Sequence, residues 1–301
     1  MERGVSTGTR IEADQVILRV GMSHRAITER ILELAGQAGY KAALIDAVAG
    51  TVTAWPRFAW IIRAGAHGLS RRGLADGDTA AVFVQDAASF TIAVNAIRAA
   101  GATALPIRPD TATAEVAAQL NAGGVRLLIT AAPLAALAAE AADRSRVRQV
   151  FTFGEAAGAT SFRSLLIAGK HEADGQIAEA FGPPDKADRA VAEDGLTSLD
   201  GLTGLDGLTG LDGRAGLDGR AGLSHRDVVV AGPPCGQGQA YTSLLDLTLL
   251  TGATIVAAPI PLVNAAMRVY RGTAAIVPAG TDVSGISPDR VFGVPENRDL
   301  P

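Results

Sequence analysis

The sequence predicts an α/β fold in which mostly parallel sheets are flanked by helices. Short apolar segments alternate with segments of helical periodicity from Ser23 to Phe153, which is typical of β-α-β units. After Thr79 the run to Val84 is continuously apolar, as in a parallel strand that is covered on both faces. A Gly-rich repeat at 195–224 separates this region from a second, shorter set of alternating elements.

Local signals support each predicted element. Ser23 is a helix N-cap residue, and isoleucines and leucines at helical spacing predict an amphipathic helix to about Gly36. Strands at 43–46 and 51–55 surround an Ala-Gly turn, and Pro56 suits the first turn of a helix that Gly73 ends. The later elements alternate as strands and helices: 79–84, 87–100, 103–107, 113–121, 126–130, 133–142 and 149–153 before the repeat, then 240–251, 253–258, 261–271 and 274–277.

These elements divide the chain into five regions. Residues 1–22 are polar and predict a flexible amino terminus, and 23–168 form an α/β subdomain. From 169 to 223 the periodicity gives way to Gly, Asp, Ala and Lys, which predicts a low-complexity linker. A second α/β segment follows at 224–279, and 280–301 is expected to be an irregular tail because it has no periodicity.

Composition argues against several classes of function. Of the 301 residues, 48% are hydrophobic, which leaves ample material for a buried core. The net charge of −4 offers no basic surface to a nucleic acid or an anionic membrane. One cysteine excludes an intramolecular disulfide, and four dispersed histidines do not suggest a metal site. The polar amino terminus is not a signal peptide and no long apolar run occurs, so we expect a cytoplasmic protein without membrane contact.

The repeat at 195–224 consists of five hexads: GLTSLD, GLTGLD twice, GRAGLD and GRAGLS. From Gly201 onward every third residue is glycine, as in collagen, but the repeat contains no proline to hold the polyproline II geometry of a triple helix. Its period differs from that of calcium-binding nonapeptides, and about thirty residues are too few for a β-helix. The composition therefore favours a flexible linker.

Motifs on both sides of the repeat follow an order that is known from one family. Residues 73–78 read Gly-Leu-Ala-Asp-Gly-Asp before a buried strand, and 105–107 read Leu-Pro-Ile. After the repeat come Leu-Ser-His-Arg-Asp at 223–227 and Leu-Thr-Gly-Ala-Thr at 250–254. In residues and spacing these segments resemble the amino-terminal half of the adenylate-forming superfamily, the acyl- and aryl-CoA synthetases. The resemblance implies the fold of their amino-terminal subdomains and an ATP-dependent, AMP-forming acid-CoA ligase ancestry.

In that family a phosphate loop of the form Ser/Thr-Gly-Thr-Thr-Gly-x-Pro-Lys-Gly precedes the segment that 223–227 resembles, so the repeat occupies its place. Such a loop works because glycines let backbone N–H groups point at phosphates, while hydroxyls and a lysine add donors and charge. In the nearest match, Leu211 and Asp212 replace the two threonines and the lysine is absent. The resemblance implies degenerate nucleotide-binding positions at Thr209, Gly210, Gly213, Arg214 and Gly216. Counted back from 252–253, it also places the acyl-pocket position at Gln237.

The sequence also lacks segments that the resemblance would require for activity. The family's Tyr-Gly-x-Thr-Glu segment, ribose-binding aspartate and lid lysine do not occur in it, and adenylation needs Mg²⁺ and cationic groups at the transferring phosphorus. We therefore predict a truncated pseudoenzyme that acts as a binding or interaction protein, with no catalytic residues and no metal site. ATP and Mg²⁺ would bind only with residual or split activity.

Two alternatives remain open from the sequence. The chain could be one half of a split ATP-dependent acyl- or aryl-CoA ligase that a second polypeptide completes, or a decaying gene product with no selected role. Truncation would also uncover the strand and helix between 253 and 271, which favours a homo-oligomer or a protein partner on that face.

Overall fold

Two sheets with helices on both sides organise the protein. The computed structural model describes residues 23–181, 223–234, 238–284 and 290–294. The strands are β1 (Ala42–Asp46), β2 (Thr51–Ala54), β3 (Thr79–Phe83), β4 (Thr103–Pro106), β5 (Leu127–Ala131), β6 (Gln149–Phe153), β7 (Thr160–Ser161), β8 (Val228–Ala231), β9 (Thr254–Ala257), β10 (Ala274–Pro278) and β11 (Val291–Val294). The α-helices are α1 (His24–Ala35), α2 (Trp55–Arg71), α3 (Ala87–Ala99), α4 (Thr113–Ala122), α5 (Ala135–Asp143), α6 (Arg163–Phe181), α7 (Gly238–Leu250) and α8 (Val263–Val269).

The strands form one six-stranded and one five-stranded sheet. The six-stranded sheet has the order β11-β10-β8-β9-β1-β2, and only the β1–β2 pair is antiparallel. The five-stranded sheet, with the order β4-β3-β5-β6-β7, is parallel throughout. The predicted fold class, mostly parallel sheets flanked by helices, is confirmed.

Three hydrophobic clusters hold the layers together. The largest lies between the two sheets and includes residues of α1, α2, α3 and α7. A second cluster places α4 and α5 on the outer face of the five-stranded sheet, and a third places α8 on the outer face of the six-stranded sheet. In β8, Val229 and Ala231 belong to the central cluster and Val230 to the outer one, because side chains alternate along a strand. The layers therefore alternate as helix, sheet, helix, sheet, helix.

The predicted start and stop signals act as expected. Ser23 caps α1 by accepting a hydrogen bond from the Ala26 amide at 3.2 Å. Asp86 caps α3 by accepting one from the Ser89 amide at 2.6 Å. Gly73 follows α2 with a φ of 92°, a conformation that favours glycine. These contacts set where the helices begin and end around the sheets.

The predicted start of the linker at 169 is wrong, because helix α6 continues to Phe181. Gly169 and Gly68 let α6 and α2 cross at backbone contact. A Cβ atom on Gly68 would lie 2.7 Å from Leu165 Cα, and one on Gly169 would lie 2.9 Å from the Ala64 carbonyl carbon. Trp60 Nε1 also donates to Asp174 across the crossing, at 2.8 Å.

Two other expectations need correction. The tail at 280–301 is not wholly irregular, since β11 pairs in parallel with β10 from Ala275–Val291 to Pro278–Val294. The strands of the α/β subdomain predicted at 23–168 do not all lie in one sheet either. Strand β1 pairs with β9, as at Leu44 and Ile255, so β1 and β2 join the six-stranded sheet instead. Backbone pairing over such separations leaves no local signal in the sequence.

No helix in the described part of the chain is long and apolar enough to cross a membrane.

Candidate functional site

The residues that follow the repeat lie at the amino-terminal edge of the six-stranded sheet. Asp227 directly precedes β8, is 7% exposed, and accepts hydrogen bonds from the Ser224 amide at 2.6 Å, from Thr273 Oγ1 at 2.7 Å and from Arg290 Nη1 at 3.0 Å. Burial acts to raise the pKa of Asp227, but these hydrogen bonds and the charge of Arg290 lower it below its ordinary value. The carboxylate therefore stays ionised and ties the end of the repeat to the starts of β8 and β10.

Lys41 completes this network from the residue before β1. Its Nζ donates to the Gly252 carbonyl at 2.8 Å and to the His225 carbonyl. Burial lowers the pKa of Lys41 to about 8, although the charge of Asp227 acts in the opposite direction. His225 Nε2 is buried without a hydrogen-bond partner. The backbone of His225 is thus held in place as part of the scaffold, while its imidazole takes no part in the network.

The opposite, carboxyl-terminal edge of the same sheet is the better candidate for a binding site. Ligands of open α/β sheets bind beyond the carboxyl ends of the strands. Beyond β8, Tyr241 donates from its hydroxyl to the Gly232 carbonyl at 2.5 Å. The Tyr241 ring meets the ring of Phe90 edge to face, with 5.3 Å between centroids. Since Phe90 is in the first turn of α3 and Tyr241 in that of α7, the two helices begin beside each other here.

Two carboxylates stand near these helix starts. Asp86, the N-cap of α3, follows β3 of the five-stranded sheet, and Asp46 ends β1 of the six-stranded sheet. Burial raises the pKa of Asp86, and the charge of Asp46 adds to the rise. Gln85 precedes Asp86 in the chain, and its Oε1 atom is buried without a hydrogen-bond partner. Helix α3, which Asp86 caps, packs against β1, the strand that Asp46 ends.

The predicted site residues all lie outside the described residues. Thr209, Gly210, Gly213, Arg214 and Gly216 lie in the repeat, and Gln237 lies between Pro234 and Gly238. The structure does describe residues on either side of these predicted positions. The repeat ends at Ser224 on the amino edge, whereas Gln237 is flanked by residues on the carboxyl edge. The four residues of β8 separate these flanks by roughly 13 Å, at about 3.3 Å per residue.

Sequence reasoning missed Asp46, Asp86 and Tyr241 at the carboxyl edge. Asp86 carried a detectable signal, since an Asp before a predicted helix is a common N-cap. Asp46 closes a turn by accepting from the Val48 and Ala49 amides, and Tyr241 is surrounded by apolar and hydroxyl residues in sequence. Neither pattern indicates a site by itself, because these residues come together only when β1, α3 and α7 pack in the folded protein.

A buried ion pair fixes α3 against α7 behind this edge. Arg98 Nη1 donates to Asp246 Oδ2 at 2.8 Å, and the two side chains are 6% and 3% exposed. Burial raises the pKa of Asp246, against the opposing charge of Arg98. Burial also lowers the pKa of His24 at the start of α1, and Arg98 adds to that effect. This pair positions the helices that frame the site and itself lies in the core.

The described residues can position a ligand, but few of their side chains at this edge are of a kind that takes part in catalysis. Within 23–181, 223–234, 238–284 and 290–294, no group of three His, Cys, Asp or Glu side chains is arranged to hold a metal ion. The carboxyl edge has two helix starts and two half-buried carboxylates, while the Phe90–Tyr241 pair is buried and only positions the helices. Such an edge can orient a small molecule beyond the ends of the strands.

Comparison with solved structures identifies this layered arrangement as that of the amino-terminal part of acyl-CoA synthetases. A long-chain-fatty-acid-CoA ligase from Archaeoglobus fulgidus superposes with a TM-score of 0.60 at 18% identity, over 84% of this chain and 51% of the ligase. A benzoate CoA ligase from Burkholderia xenovorans gives 0.59 at 16% identity, over 84% and 50%. An amide bond synthetase from Marinactinospora thermotolerans gives 0.57 at 17% identity, over 85% and 49%. At these identities the likeness establishes the fold.

Family membership follows from the sequence itself. The family model described as AMP-binding enzyme matches residues 34–191, more than half of the chain, and the chain therefore belongs to the AMP-binding enzyme family. The resemblance to the adenylate-forming superfamily is confirmed. No curated protein matches the sequence. The chain spans about half the length of the solved ligases named above.

Proposed function

We propose that this chain is a member of the AMP-binding family that does not adenylate by itself and acts by binding a ligand or a protein partner. One observation carries the proposal: five hexads of nearly equal composition stand where the family's phosphate loop is expected. In the best match an aspartate, Asp212, replaces a threonine hydroxyl, and a carboxylate beside a triphosphate is repulsive. The lysine that would neutralise phosphate charge is absent from the hexads.

The integrity of the scaffold supports a folded binding protein over a decaying gene product. The central cluster between the sheets is continuous, α1 and α3 carry side-chain N-caps, and the Arg98–Asp246 pair is complete. A sequence under no selection would lose such buried polar partners early, because one unpaired buried charge costs several kcal/mol.

An ATP–pyrophosphate exchange assay with a panel of aryl and fatty acids tests the proposal. The purified chain should give no exchange above a no-enzyme blank, while a full-length benzoate CoA ligase run in parallel confirms that the conditions support the reaction. Exchange by the chain alone would refute the proposal. The control is a variant in which residues 195–222 are deleted, and it should then have lost the exchange. Loss of exchange in that deletion also shows that the activity does not come from a contaminant.

A second candidate function is a split acyl- or aryl-CoA ligase. The observation that favours it is the span of the chain, about half the length of the ligases whose fold it shares. This function requires a separate polypeptide that begins near a Tyr-Gly-x-Thr-Glu segment. Mixing that polypeptide with the chain should restore exchange with at least one acid. A genome without such a reading frame would count against it.

The proposal also covers partner and location. Ile260, Leu262 and Val269, around α8, are 36%, 41% and 59% exposed, which supports self-association or a protein partner on this face. Light scattering at rising concentration should then give a mass above that of the monomer, and the charged variant Val269→Glu should reduce it. A monodisperse monomer at high concentration contradicts self-association. We propose a cytoplasmic location, since the single cysteine suits a reducing compartment, and cell fractionation tests this.

A further inference from the structure

Exposed arginines gather at the amino-terminal edge of the five-stranded sheet, at the opposite end of its strands from Asp86. Arg126 directly precedes β5, and Arg148 directly precedes β6. Arg146 lies in the loop that leads from α5 to Arg148. All three residues are exposed to solvent. We refer to Arg126, Arg146 and Arg148 together as the arginine edge.

The backbone holds two of these arginines next to each other. Strands β5 and β6 pair in parallel from their first residues, and just before them the Arg148 amide donates to the Arg126 carbonyl at 2.8 Å. Neighbouring strands lie about 4.8 Å apart, which is less than the length of an arginine side chain. The guanidinium groups of Arg126 and Arg148 can therefore reach the same negatively charged segment.

The charges of the arginine edge have no partners in the described part of the chain. Within it, Arg126, Arg146 and Arg148 make no ion pair and no side-chain hydrogen bond. Arg144, in the same loop, pairs instead with Glu140 at 2.6 Å. The stretch 143–148 reads Asp-Arg-Ser-Arg-Val-Arg, so arginine outnumbers acidic residues there by three to one.

This local excess of positive charge is complementary to an anion. Like charges that are held close together repel each other, and a negative group between them turns repulsion into attraction. The net charge of −4 conceals the excess, because it averages over the whole sequence. That same net charge opposes the approach of a long polyanion, and three cations are few for a nucleic acid backbone.

We propose that the arginine edge docks an acidic segment of a partner protein, a short run of several Asp or Glu side chains. A guanidinium binds a carboxylate through two parallel hydrogen bonds, and separate guanidiniums suit a segment with several carboxylates. The inference rests on the proposed function in so far as it gives the partner a chemical class. It uses neither the repeat nor the carboxyl edge, so its failure would leave the expected lack of ATP–pyrophosphate exchange untouched.

Fluorescence anisotropy of a labelled octaglutamate peptide, titrated with the full chain at an ionic strength of about 20 mM, tests the proposal. The double variant Arg126→Gln with Arg148→Gln should weaken binding by about fivefold or more, since it removes two of the three cations. Exchange of the same two arginines for lysine keeps the charges and should change the affinity by less than about threefold. Binding should weaken steeply as salt is added.

The matched control is the double variant Arg57→Gln with Arg108→Gln. It changes the net charge by the same amount at two places away from the arginine edge, since Arg57 lies over Trp60 and Arg108 follows β4 at the carboxyl edge. This control should bind the peptide like the unaltered chain. Where the Arg126 and Arg148 double variant fails to fold, the two single variants replace it, and each should weaken binding by about twofold or more.

Equal binding of octaglutamate by the glutamine double variant and the unaltered chain would overturn the proposal, as would equal binding of an uncharged octaglutamine peptide. An equal loss in the control variant would overturn it too, because net charge alone would then explain the binding. A lower melting temperature with unchanged peptide binding would assign these arginines to stabilising helix ends instead. A single-stranded octanucleotide that binds the same arginines more tightly than octaglutamate would replace the protein partner with a nucleic acid.

Discussion

The crossing of α2 and α6 gives a stability prediction that can be worked from geometry. The variant Gly68→Ala adds a methyl group that would lie 2.7 Å from Leu165 Cα, and since the neighbour is backbone it cannot rotate away. Forced overpacking of this kind costs about 3 kcal/mol at the upper end of its usual range, and alanine returns about 1 kcal/mol of helix propensity. We expect a net loss of about 2 kcal/mol in unfolding free energy.

Gly65→Ala is the matched control on the same helix. A Cβ at Gly65 would lie 3.1 Å from the Cβ of Ala96 and 3.3 Å from Phe162 Cζ, so a shift of a few tenths of an ångström relieves both contacts, whereas the backbone atoms at Gly68 lie closer than 3.0 Å. Both variants gain the same helix propensity, so the difference between them isolates the backbone contact. Calorimetry should show a melting temperature about 4–8 °C lower for Gly68→Ala than for the unaltered chain, and a much smaller change for Gly65→Ala. Equal stability of the two variants would refute the close crossing.

Two further predictions concern buried charges. Asp246→Ala should lower the unfolding free energy by about 3–5 kcal/mol because it leaves Arg98 buried and unpaired, and the double variant Arg98→Met with Asp246→Leu should recover most of the loss in urea unfolding. A double variant no better than the single one contradicts this account. Burial lowers the pKa of Lys41 from 10.5 to about 8, so the unfolded chain binds more protons between these values and stability should rise with pH. Relative to Lys41→Met, the unaltered chain should gain about 2 kcal/mol from pH 8 to pH 10, and Lys170→Met, at an exposed ion pair, should leave that gain unchanged.

Local signals in the sequence predict most of the secondary-structure elements of the fold. The N-cap at Ser23 and the stop at Gly73 lie where the sequence indicates them, and the run after Thr79 is a buried parallel strand. Glycine misled the prediction at 169, because the same residue that weakens a helix also lets two helices approach closely. Periodicity cannot separate these roles, since the difference lies in the partner helix.

The candidate site was less accessible to sequence reasoning. Its frame depends on pairs far apart in the chain, such as Arg98 with Asp246 and Phe90 with Tyr241, and no spacing rule connects them. The partner of Arg98 lies across the repeat, so only folding brings the two together. The nucleotide-binding positions in the hexads and the acyl-pocket position Gln237 rest on the resemblance alone and remain predictions.

Binding of Mg²⁺-ATP to the chain tests the central claim most directly, namely that the repeat has replaced a working phosphate loop. Calorimetric titration should detect at most weak binding by the unaltered chain. A variant that combines Leu211→Thr, Asp212→Thr and Ala215→Pro with a lysine inserted before Gly216 restores the family's loop pattern, and it should bind ATP at least about tenfold more tightly. Micromolar ATP binding by the unaltered chain, unchanged in this variant, would contradict the account.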